Sequence, residues 1–548
     1  MLSTTTRDPP KIEVKIVTKY DDYLPHFYRT FYCNSGNVRE TLAPEVEYFT
    51  SRDPTLIVAP PGSHKTTFAL LELVSNAVKS GKNVLIILNR VALATQLKQR
   101  VMETTESPLC GCLTNKGIQV TEHFGSVSII TYHRLPAFVK NPANQDWIKN
   151  LMYVVADEVH FLTSDSGFNE KCGYYLKLLT QKFQHAIRVY MTATEWDVLL
   201  PLAEAEEKNY VDNLKVVCPG VRPREFRRYV FPADYSHVNL CFFNNLQEIK
   251  EKINSNPKEK WMIFVGSKKE GRALVKELGD KAIYMDADSK DTNEWFQLLE
   301  DNKFHFQVLV TTAVLDCGVN VIDDQLCNVV IITDDRTRLI QMLGRKRYKQ
   351  GECVNLFVYD MDEQTISKRY QEGELLCQWL DRYTEEDSEG KNRMANEIWF
   401  SQQDDLRHYF NLANGHLVPN CIAFYALRRK MRFYESILSG EITFQQAVRS
   451  WLGLTDDSLP LMEKPSLEER ILQFCETHLN QELSDEEINY LRSLVALIKA
   501  PSGAAKTRPE RVATIKKLAI NNRLKEITSS YRVARDSWRI IKNQEELT

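Results

Sequence analysis

No stretch of the 548 residues approaches the roughly 18 consecutive apolar positions that a membrane helix requires, so no span is expected. The opening MLSTTTRDPPKIEVK has no basic segment ahead of an apolar core, and no secretion signal is expected from it. Cysteine pairing is also absent. The twelve cysteines are scattered, Cys110 and Cys112 are the closest two, and no C-x-x-C occurs, which argues against zinc and for free thiols in a reducing compartment. Net charge is nearly absent as well. At −3 there is no global basic character, so any nucleic-acid surface must be a local patch. What remains is ordinary: 26% charged and 43% hydrophobic residues describe a soluble globular chain, cytoplasmic or nucleoid-associated, of about two to four domains.

Two sets of short β-rich runs alternate with helical patterns. The first set is Thr55–Val58, Asn83–Leu88, Val127–Thr131, Met152–Ala156 and Ala186–Met191. The second is Trp261–Val265, Ala282–Met285, Gln307–Val310, Asn328–Thr333 and Val354–Tyr359. Near-continuous apolar strands separated by helices predict parallel sheets covered on both faces. The stretch Val217–Asp234, with prolines flanking basic residues, reads as the connection between the two sets. Beyond about residue 362 helical periodicity dominates, interrupted by an acidic break at Thr384–Lys391 that reads as an exposed loop. The last 48 residues hold eleven Lys or Arg against five Asp or Glu. The expected domains are an unassigned segment 1–40, an α/β domain 41–222, a second 223–362 and a helical accessory region 363–548.

Residues 59–66, Ala-Pro-Pro-Gly-Ser-His-Lys-Thr, follow the apolar run Leu56-Ile57-Val58. Strand, Gly-containing turn and Lys-Thr opening a helix outline a phosphate-binding loop of the G-x-x-x-x-G-K-[ST] kind. Ala59 and His64 replace its two glycines. Backbone N–H groups from Gly62 to Thr66 would cradle phosphates at a helix N-terminus; Lys65 would reach the β- and γ-phosphates and Thr66 would hold Mg²⁺. The whole set expected at the nucleotide is Pro61, Gly62, Ser63, His64, Lys65, Thr66 and Thr67. A residue with a Cβ at position 64 is tolerable if its φ/ψ is ordinary and its side chain points outward. The similar run Ala500–Thr507 follows a helical pattern, with Pro509 where a helix would continue, and reads as a linker.

About ninety residues after the lysine, Val154-Val155-Ala156 runs into Asp157-Glu158-Val159-His160. At a strand tip Asp157 can hold Mg²⁺ and Glu158 can polarise an attacking water as general base. The apolar run Ala186–Met191 leads into Met191-Thr192-Ala193-Thr194. Asp-Glu-x-His followed by Thr-Ala-Thr resembles motifs II and III of superfamily 2 helicases of the DExH type, with the earlier loop as motif I.

That resemblance extends over about residues 50–362 and implies two tandem RecA-like parallel-sheet domains. The stretch Leu88–Gln96 is similar to motif Ia and Thr131–Leu135 to motif Ib. Phe264–Ser267 resembles motif IV, Val310–Asn320 motif V, and Gln341–Arg347 motif VI, Q-x-x-G-R-x-x-R. It implies backbone contacts to nucleic acid from Arg90, Thr131, Arg134, Ser267, Thr311 and Thr312. As isolated residues, the two arginines read equally well as surface ion pairs. The resemblance also implies nucleotide contact at Gly318 and Asn320, where related proteins often carry a ribose-binding Asp. Gln341 would orient the attacking water, Arg345 and Arg347 would act as arginine fingers, and His160, Thr192 and Thr194 would couple the γ-phosphate to motion. Motif VI departs from its pattern in one respect: Tyr348 takes the place of the last Arg and Arg347 comes one residue early. The first Gln in the chain is Gln96, so no adenine-reading Gln box precedes the loop and base selectivity is expected to be loose.

The implied activity is nucleic-acid-stimulated ATP hydrolysis in a cleft between two lobes, with ATP and Mg²⁺ bound and a single strand of DNA or RNA in the core groove. A clamp or switch without unwinding, and a non-catalytic scaffold with a decayed loop, are the other readings. In the carboxy-terminal region, Tyr425–Tyr434 and Tyr531–Lys542 interleave basic and aromatic residues. They suit nucleic-acid stacking and phosphate contacts, but read rather better as amphipathic helices whose basic face is solvated and whose aromatics are core; the region is also where a protein partner would bind.

Overall fold

The computed structural model describes residues 28–104, 115–213, 224–286, 288–289, 292–312, 320–348, 351–400, 406–413, 415–454, 467–496, 516–534 and 536–542. Gly318, Cys110, Cys112, residues 1–27 and the Ala500–Thr507 run lie outside them. Two compact units divide the chain, Met1–Tyr359 and Asp360–Thr548.

The first unit holds two sheets. Strands β1 (Tyr28–Tyr32), β2 (Thr55–Val58), β3 (Asn83–Leu88), β4 (His123–Phe124), β5 (Val127–Thr131), β6 (Leu151–Ala156), β7 (Ile187–Thr192) and β8 (Phe226–Val230) form the first, in the order β1-β8-β2-β7-β6-β3-β5-β4. Every pairing in it is parallel except β4 with β5. The second is wholly parallel: β9 (Val238–Phe243), β10 (Lys260–Phe264), β11 (Ala282–Met285), β12 (Val308–Thr311), β13 (Leu326–Ile331) and β14 (Val354–Tyr359), in the order β11-β12-β10-β13-β14-β9. We refer to these as lobes 1 and 2. Their central strands are buried along their whole length, β3 and β7 at every position, which is why they read as unbroken apolar runs. Parallel alignment brings the C-terminal strand ends of each sheet to one edge, where ligands bind in open α/β sheets.

The stretch expected to connect the lobes carries β8 instead, which lies past the expected boundary at 222 and sits between β1 and β2. Its basic residues disguised it. Arg228 forms a bidentate pair with buried Glu195, and Arg227 reaches Asp53 at 3.6 Å. Just ahead of β8, Arg224 meets the fully buried Glu206. Arg188 from β7 bonds the same carboxylate at 2.7 Å, and the Tyr190 hydroxyl donates to it at 2.5 Å. Four polar groups are thus satisfied among themselves beneath the sheet, as burial demands.

The second unit is mostly helical. Its long helices, Glu363–Glu385 and Cys421–Leu438, pack against each other. The acidic break is shorter than expected, because a helix resumes at Ser388–Phe400. In Tyr425–Tyr434, Met431 and Tyr434 are buried while Arg428 pairs with Asp381 at 3.4 Å, so the aromatic-core reading describes this helix. The tail departs from a helix. Tyr531–Val533 and Ile540–Lys542 form a two-stranded antiparallel sheet, with Tyr531 and Val533 buried on one side at a period of two. A second hairpin pairs Phe410–Ala413 with His416–Pro419. Among the described residues no helix is long and apolar enough to cross a membrane.

Glu206→Ala would leave two guanidinium groups buried without their carboxylate. We expect a loss of about 3–5 kcal/mol in unfolding free energy, measured by chemical denaturation.

Candidate functional site

Ala59, at the end of β2, anchors the loop by donating its N–H to Thr192 O at 2.9 Å. The chain then turns, with Ser63 N–H on Pro60 O at 3.3 Å, and a helix opens at Lys65. Gly62 has φ 86° and His64 has φ 65°, ψ 26°. So His64 is exposed, but its backbone is left-handed, and the condition of an ordinary φ/ψ is not met. The loop has kept the conformation a glycine would supply and placed a side chain in it, at a cost of about 1–2 kcal/mol. Lys65 is buried and its Nζ bonds Ala59 O at 2.6 Å and Pro60 O at 3.1 Å; burial lowers its pKa.

The two carboxylates emerge from β6. Asp157 N–H bonds Ile87 O at 2.9 Å, and Val159 N–H bonds Met191 O at 3.0 Å, so neighbouring strands grip the chain on both sides of Glu158. Glu158 itself has φ 49°. A left-handed glutamate persists only where its surroundings over-determine it. Tyr132, fully buried, adds a third restraint by donating to Asp157 O at 3.0 Å. Behind Glu158 stands His160. Its Nδ1 is 3.0 Å from Thr192 Oγ1 and 3.3 Å from Glu158 Oε2. Thr192 Oγ1 gives its proton to Thr194 O at 2.7 Å, so Nδ1 carries the hydrogen in this contact. Burial and the adjacent Glu158 push Asp157 upward. Burial acts on Glu158 in the same sense, yet His160, Lys65 and Arg345 outweigh it and hold Glu158 below its usual range.

Lobe 2 brings Gln341, Arg345 and Arg347. Helix Arg336–Leu343 ends before both arginines. The chain then runs extended: Val321 N–H bonds Arg345 O at 2.8 Å, and Arg347 N–H bonds Val321 O at 2.9 Å, bracketing a bridge between Val321 and Lys346. Extended backbone alternates its side chains, so positions 345 and 347 share a side. Lys346 points away, to Asp323 O at 2.7 Å, and Tyr348 packs on His237 with ring centroids 4.3 Å apart. The early arginine of motif VI follows from this geometry: a helical i, i+3 pair would use position 348, and a strand-like i, i+2 pair uses 347. Arg345 bonds Gln341 O and Oε1, both at 3.0 Å, and Arg347 bonds Asn320 Oδ1 at 2.9 Å. Burial and the charge of Arg345 bring Arg347 down to about 10.

These groups line one cavity of about 300 Å³, bounded by Pro61–Thr67, Asp157, Glu158, Asn320, Gln341, Arg345 and Arg347. Leu88, Asn89, Leu93, Gln96, Leu97 and Arg100 extend it along the helix Val91–Thr104. Sequence reasoning missed that extension, although Leu93, Gln96, Leu97 and Arg100 carry the spacing of one helical face. Buried polar atoms lining the cavity without a hydrogen-bond partner include two that can donate, Ser63 Oγ and Gln341 Nε2, and one that can only accept, Glu158 Oε2, which faces His160 Nδ1 at 3.3 Å. The residues expected at nucleic acid lie elsewhere, at or just beyond strand ends. Thr131 and Thr311 end β5 and β12 and are buried; Thr312 follows Thr311. Ser267 caps the helix Lys268–Leu278 in a capping box with Glu270. Arg90 pairs with Asp165 at 3.2 Å and Arg134 with Glu122 at 2.7 Å.

Two parallel sheets face one cavity lined by the phosphate loop, the DExH strand end and the arginine-bearing segment, the boxes whose sequences resemble those of superfamily 2 helicases. Residues 34–195 match the family described as type III restriction enzyme, res subunit. The chain is similar to a probable ATP-dependent helicase of Methanocaldococcus jannaschii, at 24% identity over 49% of this chain and 33% of that one. It is also similar to the ATP-dependent DNA helicase Hel308 of Methanocella arvoryzae, at 28% identity over 26% and 20%. The chain thus matches a third or less of the length of these curated relatives. Among solved structures it is similar to S. cerevisiae Dbp5 bound to RNA and ADP BeF3, with 16% identity, a TM-score of 0.40 and 57% and 80% of the two chains covered. The Mycobacterium smegmatis helicase Lhr bound to ssDNA and AMP-PNP is similar over 92% and 60%, with 13% identity and a TM-score of 0.41.

His64→Gly relieves the left-handed strain, and the added freedom of the unfolded chain offsets part of the gain. We expect stability to rise by up to about 1 kcal/mol. His64→Val should lower it, since a β-branched residue is disfavoured at positive φ. Thermal melts of the three proteins measure both.

Proposed function

We propose that the chain is a nucleic-acid-stimulated ATPase of the helicase type, with the nucleotide bound between lobes 1 and 2. One observation carries the reading: Lys65, Asp157 and Glu158 from lobe 1 share a single cavity with Gln341, Arg345 and Arg347 from lobe 2. Such a set answers the needs of phosphoryl transfer, which are positioning and charge stabilisation rather than covalent chemistry. The unpartnered Ser63 Oγ and Gln341 Nε2 can both donate, which fits a ligand rich in acceptor oxygens.

Thr66 and Asp157 fit a hard cation, as a hydroxyl and a carboxylate whose charge burial and the adjacent Glu158 oppose. When bound there, Mg²⁺ supplies neutralisation of the phosphate oxygens. Glu158 accepts the proton of the attacking water; it is ionised, as a base must be. Anionic phosphates beside Lys65 and Arg345 offset the cations that depress it, moving it toward a useful basicity. Gln341 orients that water. Arg345 and Arg347 stabilise the charge that builds on the transferred group, each held by a neighbour, Gln341 or Asn320. Asn320, which lines the cavity, also supports Arg347 through its Oδ1. Arg90, Thr131, Arg134, Ser267, Thr311 and Thr312 lie at or near strand ends of the two sheets, where a nucleic-acid backbone could track both lobes. The names of the curated relatives support a helicase cycle; unwinding, translocation and the choice of DNA or RNA belong to this proposal.

ATPase activity titrated against single-stranded DNA and RNA tests the reading. Absence of both nucleotide binding and hydrolysis would leave the scaffold. Glu158→Gln should abolish turnover while sparing ATP binding. Arg345→Ala and Arg347→Ala should each cost on the order of 10³ in rate. Adding Tyr348→Arg to Arg347→Ala should restore nothing, because the side chain at 348 faces His237; recovery of turnover would mean the segment turns helical in the working enzyme.

A further inference from the structure

The helix that precedes the arginines touches lobe 1 at both of its ends. At its C-terminal end Gly344 sits on the phosphate loop so closely that an added Cβ would lie 2.5 Å from Pro61 Cγ. At its N-terminal end the Arg336 guanidinium stacks 3.0 Å over the ring of Trp196, and Thr337 Oγ1 donates to Asp197 Oδ2 at 3.2 Å. Trp196 and Asp197 belong to none of the helicase-like boxes. They follow Thr194, which is locked to Thr192 in both directions: Thr194 N–H donates to Thr192 Oγ1 at 3.0 Å, and Thr192 Oγ1 donates to Thr194 O. Thr192 in turn holds His160, which faces Glu158.

Resting on the ATPase reading above, we propose that Trp196 and Asp197 are positioning residues that latch the arginine-bearing helix to the catalytic strand ends. An eight-residue helix is about 12 Å long and stiff. Contact at one end leaves it free to rock about that point, and contact at both ends sets its angle. Gln341, Arg345 and Arg347 ride on the far end, so the latch sets their register over the loop. It also joins Glu158, His160, Thr192 and Thr194 to lobe 2 through an unbroken series of contacts, giving a shift at the carboxylate a physical route to the other lobe. Asp197 accepts from Thr337 and Trp196 offers its face to Arg336; neither lines the cavity, so neither touches nucleotide.

Asp197→Ala and Trp196→Ala test the latch, with Asp197→Asn and Trp196→Phe as variants that keep the acceptor and the ring. We expect the alanine variants to lower kcat at least tenfold while the Kd of a fluorescent ATP analogue stays within twofold. The conservative pair should keep at least half the parent's kcat. The double alanine variant should be little worse than either single one, since breaking either contact already frees that end. Hydrogen exchange in nucleotide-free protein gives a readout that needs no turnover: residues 336–344 should exchange faster in the alanine variants. Unchanged exchange at 336–344 would overturn the latch, as would kcat within twofold of the parent. Equal losses of Kd and thermal stability would overturn it too, by making these residues merely structural. A parent chain that hydrolyses no ATP, but whose alanine variants expose 336–344, would sink the ATPase reading and leave the latch standing.

Discussion

The contact on which the site depends is the close approach of Gly344 to Pro61. Without a side chain at 344, the arginine-bearing turn of lobe 2 rests directly on the phosphate loop, and Arg347 Nη1 comes so near Gly62 that an added Cβ there would lie 3.2 Å from it. A methyl group at either glycine would have to displace a neighbour. The cavity is therefore defined by two backbones meeting where neither carries bulk, and the charged groups of both lobes project into it because of that meeting.

Its electrostatics follow from crowding. Lys65, Arg345 and Arg347 converge with Asp157 and Glu158 around one cavity, with Lys65, Asp157 and Arg345 buried, so their charges act on one another with weakened screening. The adjacent carboxylates divide their roles by neighbourhood. Asp157 rises because burial and Glu158 oppose its charge, and Glu158 falls because His160, Lys65 and Arg345 support its charge. Of the four described non-glycine residues with positive φ, two line the cavity, His64 and Glu158. At Glu158 the flanking bonds to β3 and β7 maintain the strain. His64 lies between the Ser63 carbonyl, which accepts from Val38 N–H at 3.0 Å, and the helix that starts at Lys65.

Much of this was legible in the chain. Apolar runs of four to six residues bounded by turns gave the strand positions, because a sheet buried on both faces needs apolar residues at every position. The phosphate loop and Asp157-Glu158 were legible because each is a local pattern at a strand end. Strand β8 was not: Arg227 and Arg228 look solvated until Asp53 and Glu195, far away in sequence, supply their partners. The tail hairpin was hidden for a related reason, since a three-residue strand carries too little periodicity to distinguish it from a turn of helix.

Sequence alone determined the order of the central strands and the kinds of groups the site would contain, since both are written in residue type and spacing. Tertiary structure decided which of them face one another. Whether Arg347 or Tyr348 enters the cavity depends on a bridge to Val321, which changes a helical period into an extended one. The left-handed backbone at His64 is fixed by the turn it must close, not by any preference of histidine. The seating of Trp196 and Asp197 against Arg336 and Thr337 joins residues 140 positions apart. No local pattern encodes such a contact, because it exists only once both sheets have formed and the strand ends of both lobes face one cavity.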